Sequence, residues 1–227
     1  MTRESKSGCP IKPKEQNPQN AGNFSRWLND TLSNQKEDRG ADVPCGDCTA
    51  CCRSSQFIHI RPDETRTLKR IPKKLLFPAP SLPKGNFLMG YNDKGECPMF
   101  IENKCSIYSD RPRTCRVYDC RIFSATKIEL DSEAQRSIRD QARRWKFEYP
   151  DKTDTALQAA TLAAADFITK NRDSFSPEIL PRHPAMLANL ALKAHGIFLE
   201  EAGEMKVTPG NPIDVVNAIL KILSDRE

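Results

Sequence analysis

Cysteine is the residue whose placement says most about chemistry in this chain. There are nine, and eight of them fall between positions 45 and 120. The densest run is Pro44-Cys45-Gly46-Asp47-Cys48-Thr49-Ala50-Cys51-Cys52-Arg53. Two overlapping Cys-x-x-Cys units, 45/48 and 48/51, put three thiolates within reach of one centre, because two intervening residues let the chain turn its sulfurs toward the same ion. Gly46 gives that turn backbone freedom. A Cys-x2-Cys-x2-Cys run supplies three ligands in cubane iron–sulfur proteins, with a remote Cys-Pro completing a cluster, and here Cys97 precedes Pro98. Zinc sites also use Cys-x-x-Cys, so iron and zinc both stay open.

A second group, Cys97, Cys105, Cys115 and Cys120, lies within 25 residues spanning 96–120. The expected nucleus of a cluster is Cys45, Cys48 and Cys51, with Cys97 as the fourth cofactor ligand. Cys52, Cys105, Cys115 and Cys120 are further metal-ligand candidates, and eight cysteines suffice for two four-thiolate sites. Adjacent side chains diverge in most backbone conformations. One of Cys51 and Cys52 is therefore expected to serve a second metal, act as a redox thiol or be a buried structural residue. His59 is a weaker ligand candidate, whereas His183 and His195 lie far from the cysteines in sequence and are read as surface or core residues.

The pattern Cys45-x-x-Cys48-x-x-Cys51-Cys52, then Cys97-Pro98-x-Phe100, then Cys105-Ser106-Ile107-Tyr108-x-x-Arg111-Pro112-x-x-Cys115-Arg116-x-Tyr118 resembles the YkgJ-type cysteine-cluster family. That family is described as zinc- or iron-chelating or iron–sulfur-containing. The resemblance covers about residues 43–123 and implies metal chelation without implying a reaction. Cys120 lies outside the family pattern. A related pattern occurs in a cluster-bearing flagellin lysine methylase, but no methyl-donor site is recognisable here. Arg111 and Arg116 are expected to donate to sulfurs or to pair with Asp110 and Asp119. Tyr108 and Tyr118 are expected to shield the centre or simply to pack.

The rest of the chain must position these residues. Residues 1–22 are polar and read as a disordered tail, which makes Cys9 an incidental free thiol. Phe24, Trp27, Leu28 and Leu32 mark a short helix that docks on the core. A strand is expected at 56–60 and a short helix capped by Asp63 running to about residue 70. Pro72, Pro78, Pro80 and Pro83 make 71–85 an irregular loop. Short strands follow at 86–91 and 99–108, with turns at Asp93-Lys94-Gly95 and Glu102-Asn103. Such a segment has little core of its own, and a metal would supply the missing stability.

From about residue 125 the periodicity becomes helical. Ala134, Ile138, Ala142, Trp145 and Tyr149 mark one long helix ending at Pro150. Leu157–Ile168, Leu187–Phe198 and Ile213–Leu223 mark three more, the last with Asn211 as N-cap and Pro212 as first residue. The fold class is α+β, predominantly α. It comprises a tail (1–22), a loop-rich cysteine region with short strands (23–123) and about four helices (124–227) packed on it as one globular unit.

Met1–Ser7 lacks the apolar stretch of a signal peptide, and no apolar run reaches the ~18–20 residues of a membrane span, so the expected location is cytoplasmic with no membrane partner. In a reducing compartment clustered cysteines bind metal or do redox chemistry more often than they form disulfides. The formal charge of +5 is uneven: residues 45–123 carry 14 basic and 8 acidic side chains, a surplus of 6. That surplus either compensates anionic thiolates or offers a surface to nucleic acid or an acidic protein. Three functions therefore stand side by side. One is an iron–sulfur protein for electron transfer, sensing or support of a redox or enzyme partner. Another is a structural zinc module that binds nucleic acid or an acidic protein. The last is a metal- or thiol-dependent enzyme, for which no Ser/His/Asp order, paired-carboxylate motif or His-rich zinc motif is present.

Overall fold

The computed structural model describes residues 17–37, 39–80, 82–176, 178–201, 204–205 and 211–224. Cys9 and the first sixteen residues of the expected tail lie outside the described residues. The chain enters as strand β1 (Gln19–Asn23) and turns at once into helix α1 (Phe24–Lys36). Asn23 caps that helix, its Oδ1 accepting from the Arg26 N–H at 2.9 Å. Phe24, Trp27 and Leu28 face inward as their spacing predicts.

The cysteine region follows. It contains β2 (Ile58–Ile60), α2 (Thr65–Arg70), β3 (Leu76–Pro78), β4 (Phe87–Met89), the two-residue strands β5 (Phe100–Ile101) and β6 (Lys104–Cys105), α3 (Arg113–Val117) and α4 (Arg121–Thr126). Strands β2, β4 and β3 form one antiparallel sheet in that order. Residues 71–85 are therefore not all loop, because β3 forms within the proline-rich stretch. It does so at the sheet edge, where Pro78 costs no central ladder bond. Helix α2 begins after Glu64, not Asp63, and the Glu64 carboxylate accepts instead from the Arg61 N–H upstream, at 2.9 Å.

The helical part comprises α5 (Arg136–Arg144), β7 (Trp145–Glu148), α6 (Lys152–Lys170), α7 (Pro184–Ala194) and α8 (Pro212–Ser224). Asn211 caps α8 as expected, its Oδ1 accepting from the Ile213 N–H at 3.1 Å. The long helix expected to end at Pro150 stops instead at Arg144, and Trp145–Glu148 runs parallel to β1. Trp145 and Phe147 alternate with exposed Lys146 and Glu148, a period of two hidden inside a pattern that also fits a helix. The same pairing corrects the tail: Gln19–Asn23 is ordered because β7 supplies its hydrogen-bond partners. The fold is α+β and predominantly α. Among the described residues no helix is long and apolar enough to cross a membrane.

Three apolar clusters hold this together. The first joins Phe24, Trp27 and Leu28 to Cys120, Ile122, Phe123, Ile138, Trp145 and Leu192. The second packs α6, α7 and α8 through Ile168, Leu190 and Ile219. The third, under the small sheet, has only Ile58, Ile60, Ile71, Met89, Met99 and Ile107 as buried members. Helix α1 thus belongs with the helices, and the first cluster crosses the 123/124 boundary.

A buried ion pair ties the first cluster to the cysteine region. The Asp119 and Arg121 side chains keep 5% and 10% of their exposure and meet at 2.8 Å. Trp27 Nε1–H donates to Asp119 at 2.8 Å, and Arg121 donates to the carbonyls of Ala21 (3.2 Å) and Asp42 (2.8 Å). Replacing Arg121 with Met should therefore destabilise the fold by about 3–5 kcal/mol, because the carboxylate is left buried without its partner. Trp27→Phe keeps most of the bulk and should cost about 1–3 kcal/mol. Denaturant midpoints measure both, and an unchanged midpoint for Arg121→Met would show that the pair carries no weight.

Candidate metal centre

All eight cysteines from Cys45 to Cys120 are free thiols. Cys45 and Cys48 flank a turn in which the Cys48 N–H donates to the Cys45 carbonyl at 2.9 Å, with Gly46 at φ +52°. That left-handed position is the one glycine adopts without strain. Residues Ala50–Arg53 form a single 3-10 turn that carries both Cys51 and Cys52. The two thiols act on each other's acidity, in the sense that lowers Cys51 and raises Cys52.

Cys97 arrives by a second device. The Asn92 side chain accepts from the N–H groups of Lys94 and Glu96, closing the expected turn around Gly95 at φ +74°. Any Cβ at Gly95 would collide with the Ser55 hydroxyl, so the turn lies flat against the residues after Cys52. The Cys97 N–H then donates to the Cys52 carbonyl at 2.8 Å. The Phe100–Cys105 pair of the β5–β6 hairpin places Cys105 beside it, with the turn at Glu102 and Asn103 in left-handed conformation. Cys115 lies on α3, which is fixed by a buried carboxylate: Glu64 Oε2 accepts from the Arg113 N–H at 2.5 Å.

The structure thus brings together Cys51, Cys52, Cys97, Cys105 and Cys115. Charges on Cys51, Cys97 and Cys105 all act on Cys115, and those on Cys51, Cys97 and Cys105 act on Cys52. Cys97, Cys105 and Cys115 pack against the small third cluster, while Cys51 stays exposed at the rim. Cys97 keeps company with Cys51 and Cys105, whereas Cys45 is influenced by Cys48, Cys51, Asp119 and Arg121. Cys120 is buried in the first cluster and accepts the Trp145 Nε1–H at 3.2 Å.

The surrounding residues sort themselves by contact. Arg111 is the cation that acts on Cys51 and Cys115, and its guanidinium lies 4.0 Å from the Tyr108 ring centroid. Tyr108 itself is 64% exposed and shields nothing, whereas half-buried Tyr118 packs against the first cluster near Cys120 and Cys51. Arg116 reaches Glu64 at 3.8 Å. Asp110 is held by Arg66 and Arg70, and Asp119 by Arg121. His59 turns to Asn86 at 2.8 Å, away from a ligand role, and His183 caps α7. Glu64, Trp145 and the Trp27–Asp119–Arg121 set escape a reading of the sequence, because their partners are distant along the chain.

Residues 44–143 match the model of the CxxCxxCC family, described as a "putative zinc- or iron-chelating domain". Over those residues the chain is similar to this family, and that likeness supports a metal-binding role. No curated protein and no solved structure gave a match to the chain. The donor chemistry fits a thiophilic metal. The thiols are free and grouped, and the Met99 and Phe100 N–H groups act on the Cys97 sulfur in the sense that favours thiolate. Among the described residues no three His, Cys, Asp or Glu side chains are already converged on one ion. Closing the site therefore falls to the metal.

Without metal, burial and the neighbouring Cys48 and Cys51 push the Cys45 thiol up to about 11. Burial pushes Cys120 up to about 12 and also raises Cys97 and Cys115. In the Cys51–Cys52 pair the interaction between the thiols lowers Cys51 and raises Cys52. Most of these groups are thus neutral thiols at neutral pH, and a metal must displace their protons. Metal affinity should rise from neutral to mildly alkaline pH, with protons released on binding. Calorimetric titrations in buffers of different ionisation enthalpy measure that release, and pH-independent affinity with no released protons would contradict it.

Proposed function

We propose that the cysteine region carries a cysteine-ligated iron–sulfur cluster and serves electron transfer, sensing or support of a partner enzyme. The observation that carries this reading is the gathering of Cys51, Cys52, Cys97, Cys105 and Cys115 into one half-buried group. Five sulfurs exceed what one tetrahedral ion takes, and a multi-iron cluster uses such a set more naturally. Backbone N–H groups aimed at sulfur, a nearby guanidinium and partial burial are the features by which proteins tune cluster potentials. Cys51 at the exposed rim suits electron exchange with a docked partner.

A second reading, a structural zinc module facing nucleic acid or an acidic protein, is favoured by one observation. Phe57, Phe77 and Tyr91 are exposed on the small sheet with ring centroids 5.2–6.1 Å apart. Basic residues Lys73 and Lys74 lie in the turn just before β3. Aromatic rings beside positive charge suit base stacking.

Purification without oxygen decides between the two. The iron–sulfur reading expects a brown protein with broad visible absorption and matching iron and acid-labile sulfide. A colourless protein with stoichiometric zinc and no sulfide would overturn it. Salt-sensitive binding to single strands, lost on neutralising Arg111, Arg113 and Arg116, would favour the second reading.

A further inference from the structure

We propose that the protein binds a small phosphomonoester in a cavity between α4, α5 and β7. The phosphate lies on Lys127, Arg139, Arg143 and Lys146, and the apolar body of the ligand packs on the buried side chains beneath them. No cysteine lines this cavity, so the proposal is independent of the metal reading.

The cavity measures about 240 Å³. Sites for drug-sized ligands run from ~300 Å³ upward, so the space suits a smaller metabolite. Its lining has two layers. Phe123, Leu130 and Ala142 are buried and, with half-buried Ile128, make an apolar floor. Four cations stand above it against a single acid among the described residues, Glu129. They are Lys127 from the link after α4, Arg139 and Arg143 from α5, and Lys146 from β7. The walls are braced. Arg139 donates to the Leu130 carbonyl at 2.9 Å, the Ile128 N–H donates to Thr126 Oγ1 at 3.4 Å, and Ser124 donates to the Trp145 carbonyl at 2.8 Å. These bonds tie the 127–130 link to both helices and α4 to β7, so the concavity is formed before a ligand arrives.

The cations are available. Among the described residues, the ammonium groups of Lys127 and Lys146 have no hydrogen-bond or ion-pair partner. Arg143 reaches only Glu129, at 3.8 Å, with both side chains about two-thirds exposed at 66% and 69%. Such a contact contributes little and yields easily to a bound anion. Arg139 and Arg143 lie one turn apart on the same helix face, where like charges repel. The helix dipole favours Arg143 in the last turn of α5, but Lys146 lies on a strand and has no such reason. One sign of charge around a concave surface concentrates anions, and guanidinium forks match phosphate oxygens.

Lys127 carries a second, independent sign. It caps α4 at φ +57°, in the left-handed region. Glycine ordinarily fills that place at a helix end, because a β-carbon makes the conformation costly. The chain keeps a lysine there, beside the cavity and without a carboxylate partner among the described residues. Backbone strain retained at a concave, charged surface points to function rather than stability.

Isothermal titration of the full-length protein, purified without oxygen, tests this with phenyl phosphate, inorganic phosphate and phenol. Phenyl phosphate should bind tightest, since it alone engages both layers, and added salt should weaken it. Lys127→Gly and Lys146→Gln should each weaken phenyl phosphate about tenfold, the loss of one charge-assisted hydrogen bond. Exposed Lys36→Gln on α1 should leave the affinity unchanged. Denaturant midpoints separate a binding role from a structural one: Lys127→Gly should keep or raise the midpoint while losing affinity. The metal content of both cavity variants should equal that of the unaltered protein, which keeps this outcome apart from the iron–sulfur reading. No binding of phenyl phosphate at millimolar concentration, or equal affinity for inorganic phosphate, would overturn the proposal. So would unchanged affinity in both folded lysine variants, or a Lys127→Gly protein that loses stability together with affinity.

Discussion

The buried pair of Asp119 and Arg121 is the constraint on which the rest of the structure depends. It stands at the start of α4, one residue either side of Cys120, and it is reached from three directions. Trp27 comes from the N-terminal helix, the Ala21 carbonyl from β1 and the Asp42 carbonyl from the strap that leads to Cys45. A guanidinium presents several donors in a fixed plane, so one side chain can bind separate chain segments simultaneously. Burying such charges stabilises little by itself, since desolvation offsets the attraction. What the pair provides is uniqueness: only one arrangement of β1, the strap and α4 satisfies every donor and acceptor. The first cysteine turn inherits its position from that arrangement.

The opposite end of the domain is governed by scarcity. Its small cluster has six buried apolar side chains, set beneath a sheet of three-residue strands. Short polar bonds do the work that packing does elsewhere. The Asn92 turn presses Gly95 onto Ser55, the Cys52 carbonyl holds Cys97, and Glu64 ties α3 to the end of β2. These contacts deliver five sulfurs to one place but leave them short of convergence on a single ion. A centre of this kind is completed by its metal, whose binding free energy becomes folding free energy for the segment around it.

The sequence disclosed what is local and hid what is distant. The cysteine motif, the Asn92–Gly95 turn, the Asn211–Pro212 helix start and the inward face of α1 depend on neighbours within a few positions, so spacing and residue type announce them. The strand at Trp145 was masked because Trp145 and Tyr149 fit a helical face as well as an alternating strand. Only pairing with β1, more than a hundred residues earlier, selects the strand. The same holds for the ordered residues 19–22, whose polar composition reads as a tail until β7 is placed beside them. Asp119 was expected to pair with Arg111 or Arg116, but it pairs with Arg121 and both are buried. Their partners are remote: Trp27 lies 92 residues from Asp119, and Ala21 lies 100 from Arg121.

The cysteines were legible as a set but not in their packing, for a reason that is geometric. Overlapping Cys-x-x-Cys units suggest that Cys45, Cys48 and Cys51 serve one centre, since each step of three lets the chain curl around a common point. Here the curl changes character midway. Cys45 and Cys48 share a turn braced toward Cys120, whereas Ala50–Arg53 winds into a 3-10 turn that sends Cys51 and Cys52 together toward Cys97. Thr49 caps the second turn, its carbonyl accepting from the Cys52 N–H at 3.0 Å. A motif that reads as one continuous ligand run is therefore a junction, where the chain passes from the larger apolar core to the smaller one.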